Sequence, residues 1–417
     1  MNPPVAGVPL VRVVVVNYGG GDLTLACLRS LQATEWPAAR LDIVLVDNAS
    51  HDGIADAVMR DFPAVRVVRS ATNRGFSGGC NLGMTDLAET DFVALVNNDA
   101  TVEPDWLAPL VAALQADASL GAACPKILLA GRFRAVSIET PTLRRGGRDV
   151  GVLVSGARVD GVDVWARTQL VRGFWGREPD GSGQWTMASA QLWLPEGRDA
   201  ELLLDDGSEP AWRTMSFESE AVEVINNVGS LLTADQHGAD RGYLEPDDGR
   251  FDTPEDVFAW CGASVVLRRE YLDQIGLFDE RLFVYYEDLE LSWRGQARGW
   301  RYRYVPESVI HHVHAATTVE GSRLKLHHEE RNRLLVLTRH ATAREARRAV
   351  GRYLLVTASY ARRDILGRII RGRRPRGTIT LRRLRAFGAF VARAPGMLRS
   401  RRRDRRARAA TQTVSSL

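Results

Sequence analysis

Four places in the first hundred residues share one pattern, in which a short run of Val, Ile and Leu gives way to polar side chains. Asn17 and Tyr18 follow the first run, Asp47-Asn48-Ala49-Ser50 the second, Asn73-Arg74-Gly75-Phe76 the third and Asn97-Asn98-Asp99 the fourth. Polar strand ends gathered around one crevice are what a nucleotide site requires. Asp99 has the chemistry of a metal ligand, because a hard divalent cation held by one or two carboxylates plus phosphate oxygens neutralises a departing diphosphate. An Asp here also suits the N-cap of a helix opening near Pro104. Asn97 and Asn98 beside it add oxygens or donors and favour the ligand role.

Two more clusters lie beyond residue 280. Glu287 and Asp288 open a helical stretch, with Asp288 to Arg298 as its body. The dipole and free N–H groups of a helix N-terminus hold a carboxylate ionised, which suits a general base and equally suits a cap. Phe283, Tyr285 and Tyr286 just before them fit either the wall of a sugar pocket or the core. In Ile310-His311-His312-Val313-His314, alternation puts His312 and His314 on one face, and imidazole accepts Mn²⁺ or Zn²⁺. A helical H-E-x-x-H is absent, which excludes the usual hydrolytic zinc site. Close to Asp99, one of these histidines becomes a second metal ligand.

The elements that must position these groups alternate in type. Val11 to Asn17, Ile43 to Asp47, Val65 to Arg69 and Phe92 to Asn97 read as strands buried on both faces of a parallel sheet. Leu23 to Leu31, Gly53 to Asp61, Gly79 to Leu87 and Pro104 to Ala116 read as helices between and after them. This is an α/β arrangement, with ligands expected at the carboxyl ends of the strands. Residues 131–220 change texture: Gly, Trp and alternating polar and apolar positions indicate a β-rich insertion. Its Trp165, Trp175, Trp185, Trp193 and Trp212 suit a small β core or, alternatively, a sugar-stacking surface. Alternation of helix and strand resumes from Phe258, with a strand at Arg301 to Val305.

The overall charge of the 417 residues is only +4, and it conceals an asymmetry. Residues 322–417 carry 27 Lys and Arg against 5 acids, net +22, which leaves −18 on the rest. Apolar stripes between the arginines (Tyr353 to Val356, Ile365 to Ile370, Phe387 to Val391) fit helices lying in an anionic membrane interface. The competing readings are a helical extension packed on the acidic body, with disorder from about Ser400, and a nucleic-acid surface, which the apolar stripes and acidic body disfavour. Nothing approaches the ~18 consecutive apolar residues of a membrane span. Met1 to Leu10 lacks the basic and apolar regions of a secretory signal. Cys27, Cys80, Cys124 and Cys261 form no C-x-x-C pair, pointing to reduced thiols in a cytoplasmic setting.

In order along the chain, Val15-Val16-Asn17-Tyr18, Val46-Asp47-Asn48-Ala49-Ser50, Asn73-x-Gly75-Phe76 with Asn81-x-Gly83, and Asn97-Asn98-Asp99 resemble the family 2 inverting nucleotide-sugar glycosyltransferases. The likeness continues through Asp240-Arg241-Gly242, Cys261-Gly262-Ala263, Gly276-x-Phe278-Asp279-Glu280, Tyr286-Glu287-Asp288 to Arg294, Gly299-Trp300 and His312. It covers most of residues 11–340 outside the insertion and is strongest to the rhamnosyltransferase-like and galactofuranosyltransferase-like branch. The resemblance implies a GT-A type fold: a Rossmann-like nucleotide-sugar half over 1–130, the β-rich insertion over 131–220, an acceptor half over 221–340 and a basic helical extension over 341–417, disordered at its end. It further implies that Asn17, Tyr18, Asp47 and Asn48 contact the nucleoside, Asp47 reading the base, and that Arg74, Asn81, Asn97, Asn98 and Asp99 serve the donor site. Asn97 and Asp99 stand where the family has D-x-D, so one carboxylate fewer is available to a Mn²⁺ or Mg²⁺ ion, with Asp99 and His312 as its ligands. Asp288, with Glu287 as the alternative, matches the family's catalytic base.

The implied donor is a dTDP- or UDP-sugar. The implied acceptor is a lipid-linked glycan of the cell envelope, reached from the inner face of the membrane. An inactive glycan-binding or scaffold protein is the alternative from another class. An NAD-dependent oxidoreductase is excluded, since Gly19-Gly20-Gly21 lacks the G-x-G-x-x-G spacing.

Overall fold

The computed structural model describes residues 7–145, 147–176, 178, 183–313 and 322–414, and His314 lies outside the described residues. Strands β1 (Val11–Asn17), β2 (Leu41–Asp47), β3 (Arg66–Arg69) and β4 (Phe92–Val96) are parallel, in the order β3-β2-β1-β4. The Val-rich runs of β1, β2 and β4 are apolar on both faces because both are covered, whereas β3 at the sheet edge is only partly buried. Val13 and Val15 enter one core with Leu28 and Leu31 of α1 (Asp22–Gln32) and Leu110 and Leu114 of the later helix Leu107–Ala116. Val14 enters the opposite core with Cys80, Met84, Tyr271 and Leu291.

Helices α2 (Ile54–Asp61) and α3 (Gly75–Gly83) complete the crossovers, and Leu107–Ala116 is α4. Helix α3 begins and ends four residues earlier than the periodicity indicates. Its glycines are poor helix formers, but packing overrides propensity. A Cβ on Gly79 would stand 2.6 Å from Val16, and one on Gly83 2.3 Å from Val14, so the helix lies closer to the sheet than any side chain would permit.

The purely parallel arrangement stops at β4. Ser264–Arg268 runs antiparallel to β4 and to β6 (Leu120–Leu129), and Arg301–His312 lies parallel to β6. This last strand extends well past Val305, because a register shift between Val305 and Val309 accommodates Pro306. Short β5 (Ala100–Val102) pairs antiparallel with its end and sets His312 opposite Ala100. The mixed sheet has ten strands.

Between Phe133 and Met215 lies a separate seven-stranded antiparallel sheet around Val136, Val154, Leu192 and Leu202. Trp185 and Trp193 are buried, and the Trp193 indole N–H donates to the Leu244 carbonyl at 2.9 Å. Arg145 lies over Trp185, Arg148 over Trp175 and Arg158 over Trp212. At Trp185 and Trp193 the core role therefore prevails.

After α5 (Arg269–Ile275) and α6 (Glu287–Gln296) the chain becomes helical: α7 (Arg323–His340), α8 (Ala343–Ala361, opened by a Thr342/Glu345 capping box), α9 (Gly367–Ile370) and α10 (Thr378–Val414). One face of α10 packs on α7, with Phe390 and Met397 against Leu334, Leu335 and Leu337. A buried ion cluster reinforces the joint. Glu290 of α6 accepts from Arg294 at 2.8 Å, Arg339 at 2.7 Å and His340 at 2.9 Å, and Arg339 also reaches Asp404 of α10 at 2.9 Å. Burial alone would raise the Glu290 carboxyl, but Arg294 and Arg339 hold it far below its ordinary range. Helix α10 thus continues through Ser400 to Val414 where composition points to disorder, because Ser400 and Asp404 are anchored to Arg281 and Arg339. Among the described residues no helix is long and apolar enough to cross a membrane.

Candidate active site

The strand ends and the amino ends of α6 and α7 enclose a cavity of about 420 Å³. Tyr18, Asn48, Asn97, Asn98 and Asp99 line it from the first hundred residues, and Glu287, Asp288 and His312 from the later part of the chain.

Asp99 and His312, 213 positions apart, meet because β5 pairs with the end of Arg301–His312. Asp99 Oδ1 lies 3.0 Å from His312 Nε2, and both residues are buried. On the other side of the ring, Nδ1 donates to Asn226 Oδ1 at 2.8 Å, which orients Nε2 toward Asp99. Asn97 Nδ2 stands 3.4 Å from the same Nε2. One carboxylate oxygen and one imidazole nitrogen at this separation fit a Mn²⁺ or Mg²⁺ ion that takes its other ligands from phosphate and water. A closed cage is not built: among the described residues no group of three or more His, Cys, Asp or Glu surrounds a point. Capping is not the role of Asp99, since α4 opens only at Leu107 and without a side-chain cap.

Across the cavity, Asp288 Oδ2 accepts from the Gly262 N–H at 3.0 Å and Oδ1 from the Leu289 N–H at 2.7 Å. Burial pushes its carboxyl up to about 6 against these two bonds, with Asp240 adding repulsion. Glu287 is driven well above its ordinary range by burial and by Asp288, and its Oε2 has no hydrogen-bond partner among the described residues. Burial therefore outweighs the helix N-terminus that a sequence reading credits with keeping both ionised. Both carboxyls are biased toward their protonated forms, and only Asp288 has backbone N–H bonds to both of its oxygens.

The remaining nucleotide-side residues divide. Asn48 lines the cavity and also fastens the next loop, its amide donating to Gly75 O at 3.0 Å and its carbonyl accepting from Arg74 N at 2.9 Å. Asn17 is fully buried below the floor, where its Oδ1 accepts from Gly20 N, Thr24 Oγ1 and Asn98 Nδ2. Asp47 ends β2 and accepts from Ser50 N at 2.9 Å. Arg74 and Asn81 do not line the cavity; both reach Glu280, Arg74 at 2.9 Å and Asn81 at 3.1 Å, and tie α3 to the loop before α6.

Two cavity residues carried no role in the sequence. Asp240 faces Asp288 and His312 and accepts from Asn227 Nδ2 at 2.6 Å. Its only signal was membership of the Asp240-Arg241-Gly242 motif. Asn226, which orients His312, had no signal, since an Asn in a short strand is not distinctive.

The turn that presents Glu287 and Asp288 is strained. Phe283, Tyr285 and Tyr286 have φ of 69°, 68° and 71°, unfavourable for bulky residues. The clamp comes from α7: Asn332 Nδ2 lies 2.8 Å from Leu282 O, 2.9 Å from Val284 O and 2.7 Å from Tyr285 O, and Arg331 Nη2 donates to Leu282 O at 2.7 Å. Asn332→Ala strands these carbonyls and is expected to lower unfolding stability by about 2–3 kcal/mol, seen as a lower urea midpoint with unchanged slope.

The mixed sheet, with polar residues at its strand ends, has the α/β architecture of a GT-A type fold. Residues 12–143 match the model of Glycosyl transferase family 2, and residues 244–394 that of Glycosyl transferase family group 2. These two stretches are those of a family 2 glycosyltransferase. It is 26% identical over 331 residues to the N-acetylglucosaminyl-diphospho-decaprenol L-rhamnosyltransferase of Mycobacterium tuberculosis, covering 76% of this chain and 81% of that protein. Among solved structures, GalNAc-T7 with UDP, GalNAc and Mn²⁺ aligns with 80% of this chain and 48% of its own, at 16% identity and a TM-score of 0.49. The Pyrobaculum calidifontis mannosyltransferase PcManGT in complex with GDP-Man and Mn²⁺ aligns with 96% and 75%, at 16% identity and a TM-score of 0.40.

Proposed function

We propose that this protein moves a sugar of the rhamnose or galactofuranose type from a dTDP- or UDP-linked donor to a lipid-linked glycan acceptor of the cell envelope, with inversion at the transferred carbon. The observation that carries the reading is the Asp99–His312 pair facing Asp288 across one cavity. Support for the acceptor comes from the mycobacterial relative, named for an N-acetylglucosaminyl-diphospho-decaprenol substrate. The acceptor and the basic C-terminal region together favour work at the inner, cytoplasmic face of a membrane.

In this proposal Asp288 accepts the proton of the acceptor hydroxyl as its oxygen bonds to the anomeric carbon and the bond to the diphosphate oxygen breaks. Glu287, buried beside it, lines the pocket wall. Tyr18 and Asn48 flank the nucleoside, Asp47 and the buried Asn17 shape that end, and Asn97 and Asn98 hold the floor below the phosphates. Arg74 and Asn81 act at one remove, through Glu280. Asp99 Oδ1 and His312 Nε2 are the atoms that would hold Mn²⁺ or Mg²⁺, whose contribution is to neutralise the departing diphosphate. A direct displacement needs no activated Ser or Cys. The buried thiol of Cys27 accordingly stands far above its ordinary range, by burial and then by Asp99.

A thermal-shift panel of dTDP- and UDP-sugars with and without Mn²⁺ or Mg²⁺ tests the reading. The true donor is expected to stabilise the protein by about 2.7 kcal/mol at a hundredfold excess over its Kd, with a smaller shift when the cation is left out. Stabilisation by free glycans and by no nucleotide sugar would assign a glycan-binding scaffold instead.

A further inference from the structure

The +22 carried by residues 322–417 is not spread evenly in space. Part of it is consumed inside the fold: Arg339 serves Glu290 and Asp404, and Arg382 and Arg383 both bond Glu330. The segment linking α8 to α10 is different. Between residues 362 and 377 stand seven arginines and one acid, Asp364, which Arg363 already engages through both carboxylate oxygens at 2.7 Å. Within this cationic segment three aliphatic side chains are turned outward, while Ile365 faces Gly377. Leu366 and Ile369 are each 54% exposed and Ile370 is 75% exposed. The approach along α8 continues the pattern, with Leu355 74% exposed.

A soluble surface has no reason to expose three consecutive-turn aliphatics at the tip of a helical hairpin, and a nucleic-acid surface has no use for them. A lipid headgroup region uses both features, burying aliphatics below the phosphates while arginines bind the phosphates themselves. We infer that the tip of the α8–α10 hairpin, Leu366, Ile369 and Ile370 ringed by the arginines of 362–377, is a wedge that inserts into the headgroup layer of an anionic membrane. The inference deepens the membrane part of the proposed function and rests on it, but not on the transfer chemistry. The other face of the hairpin explains how the wedge is held. Tyr353, Phe387 and Phe390 stack in the joint with α7, and Tyr353 Oη donates to Glu330 at 3.0 Å. The same α7 carries Leu324, Lys325 and Glu329 into the cavity and Asn332 onto the turn before Asp288. Helix α8, 19 residues long, carries the tip about 28 Å from the α7–α8 corner. The wedge and the cavity are thus two ends of one rigid helical unit, and docking the tip sets the height of the cavity above the lipid.

The test is flotation of the full-length protein with vesicles of phosphatidylcholine alone and of phosphatidylcholine with phosphatidylglycerol. The parent is expected to float with the anionic vesicles and remain behind with the neutral ones. The Leu366→Ser/Ile369→Ser/Ile370→Ser variant, altered only at exposed positions, is expected to lose about tenfold or more of the anionic-vesicle binding with Tm unchanged. A second variant, Arg371→Gln/Arg373→Gln/Arg374→Gln/Arg376→Gln, is expected to lose the salt-sensitive part of binding. Equal flotation of the triple-serine variant and the parent would overturn the proposal, as would equal recovery with both vesicle types. Tight binding of duplex DNA that the serine substitutions leave untouched would assign the arginines to nucleic acid and overturn it as well. Transfer to a water-soluble acceptor analogue is expected to be the same in the serine variant and the parent. Flotation does not depend on that activity, so the wedge and the transferase reading fail separately.

Discussion

Asp288→Asn is expected to lower kcat by about 10²–10⁴-fold, the usual contribution of a general base, while the donor still stabilises the protein in thermal shift. The asymmetry between the two neighbouring carboxyls is what makes the experiment decisive. Asp288 receives two backbone N–H bonds and is pushed up to about 6 by burial; Glu287 is buried without a partner for Oε2 and is driven well above its ordinary range. Glu287→Gln keeps the shape of the side chain while removing its titratable group, and is expected to retain most of the parent's kcat. Full activity in Asp288→Asn, or an equal loss in Glu287→Gln, would remove Asp288 as the base.

The same group sets a pH dependence with a definite sign. The base acts as a carboxylate, so kcat/KM is expected to fall about tenfold per unit below pH 6 and to be level above it. Stability runs the other way. The folded value of about 6 lies above the ordinary 3.8, so the folded state binds the proton more tightly than the unfolded chain. The stability this contributes is complete below pH 3.8 and is lost as pH rises through 6. Asp288→Asn lacks that loss and is expected to melt at a higher temperature than the parent above pH 6, trading stability for activity. Differential scanning calorimetry at pH 5 and pH 8 reads it: the gap between variant and parent is expected to widen at pH 8.

Asp99→Ala carries the second large effect. It is expected to lower kcat by about 10²–10³-fold, the scale of removing one group that stabilises developing negative charge, and to abolish the cation-dependent part of donor stabilisation. His312→Ala is expected to do the same, and the double variant to be little worse than either, because two ligands of one site act as a unit. Nucleotide binding without added cation should survive in all three. Loss of that binding would point to collapse of the floor below β1 and β4, where Asn98 holds Asn17 and Thr24, in place of loss of an ion site.

Local pattern carried a great deal. The seven residues of β1, from Val11 to Asn17, have the bounds that their apolar run implies, and the polar residues following β1, β2 and β4 reach the cavity at Tyr18, Asn48 and Asp99. Glycine misled at α3, because residues 75–83 look too flexible for a helix unless one knows that Val14 and Val16 demand a helix without side chains on that face. Pro306 misled in the same way: it reads as the end of a strand, yet the bulge lets the strand continue to His312.

From its residues alone this protein declares an α/β half with polar strand ends, a pair of carboxylates at a helix start and an excess of arginine near one end, since each depends on neighbours within a few positions. Three matters were left to the tertiary structure. Asp99 meets His312 only through the pairing of β5 with a strand two hundred residues later. Asp288 differs from Glu287 only through what buries each of them, and desolvation is a property of the packed molecule. The arginines of 362–377 differ from Arg339, Arg382 and Arg383 only because the latter found acids inside the fold, leaving the hairpin tip with both the surplus charge and the exposed aliphatics.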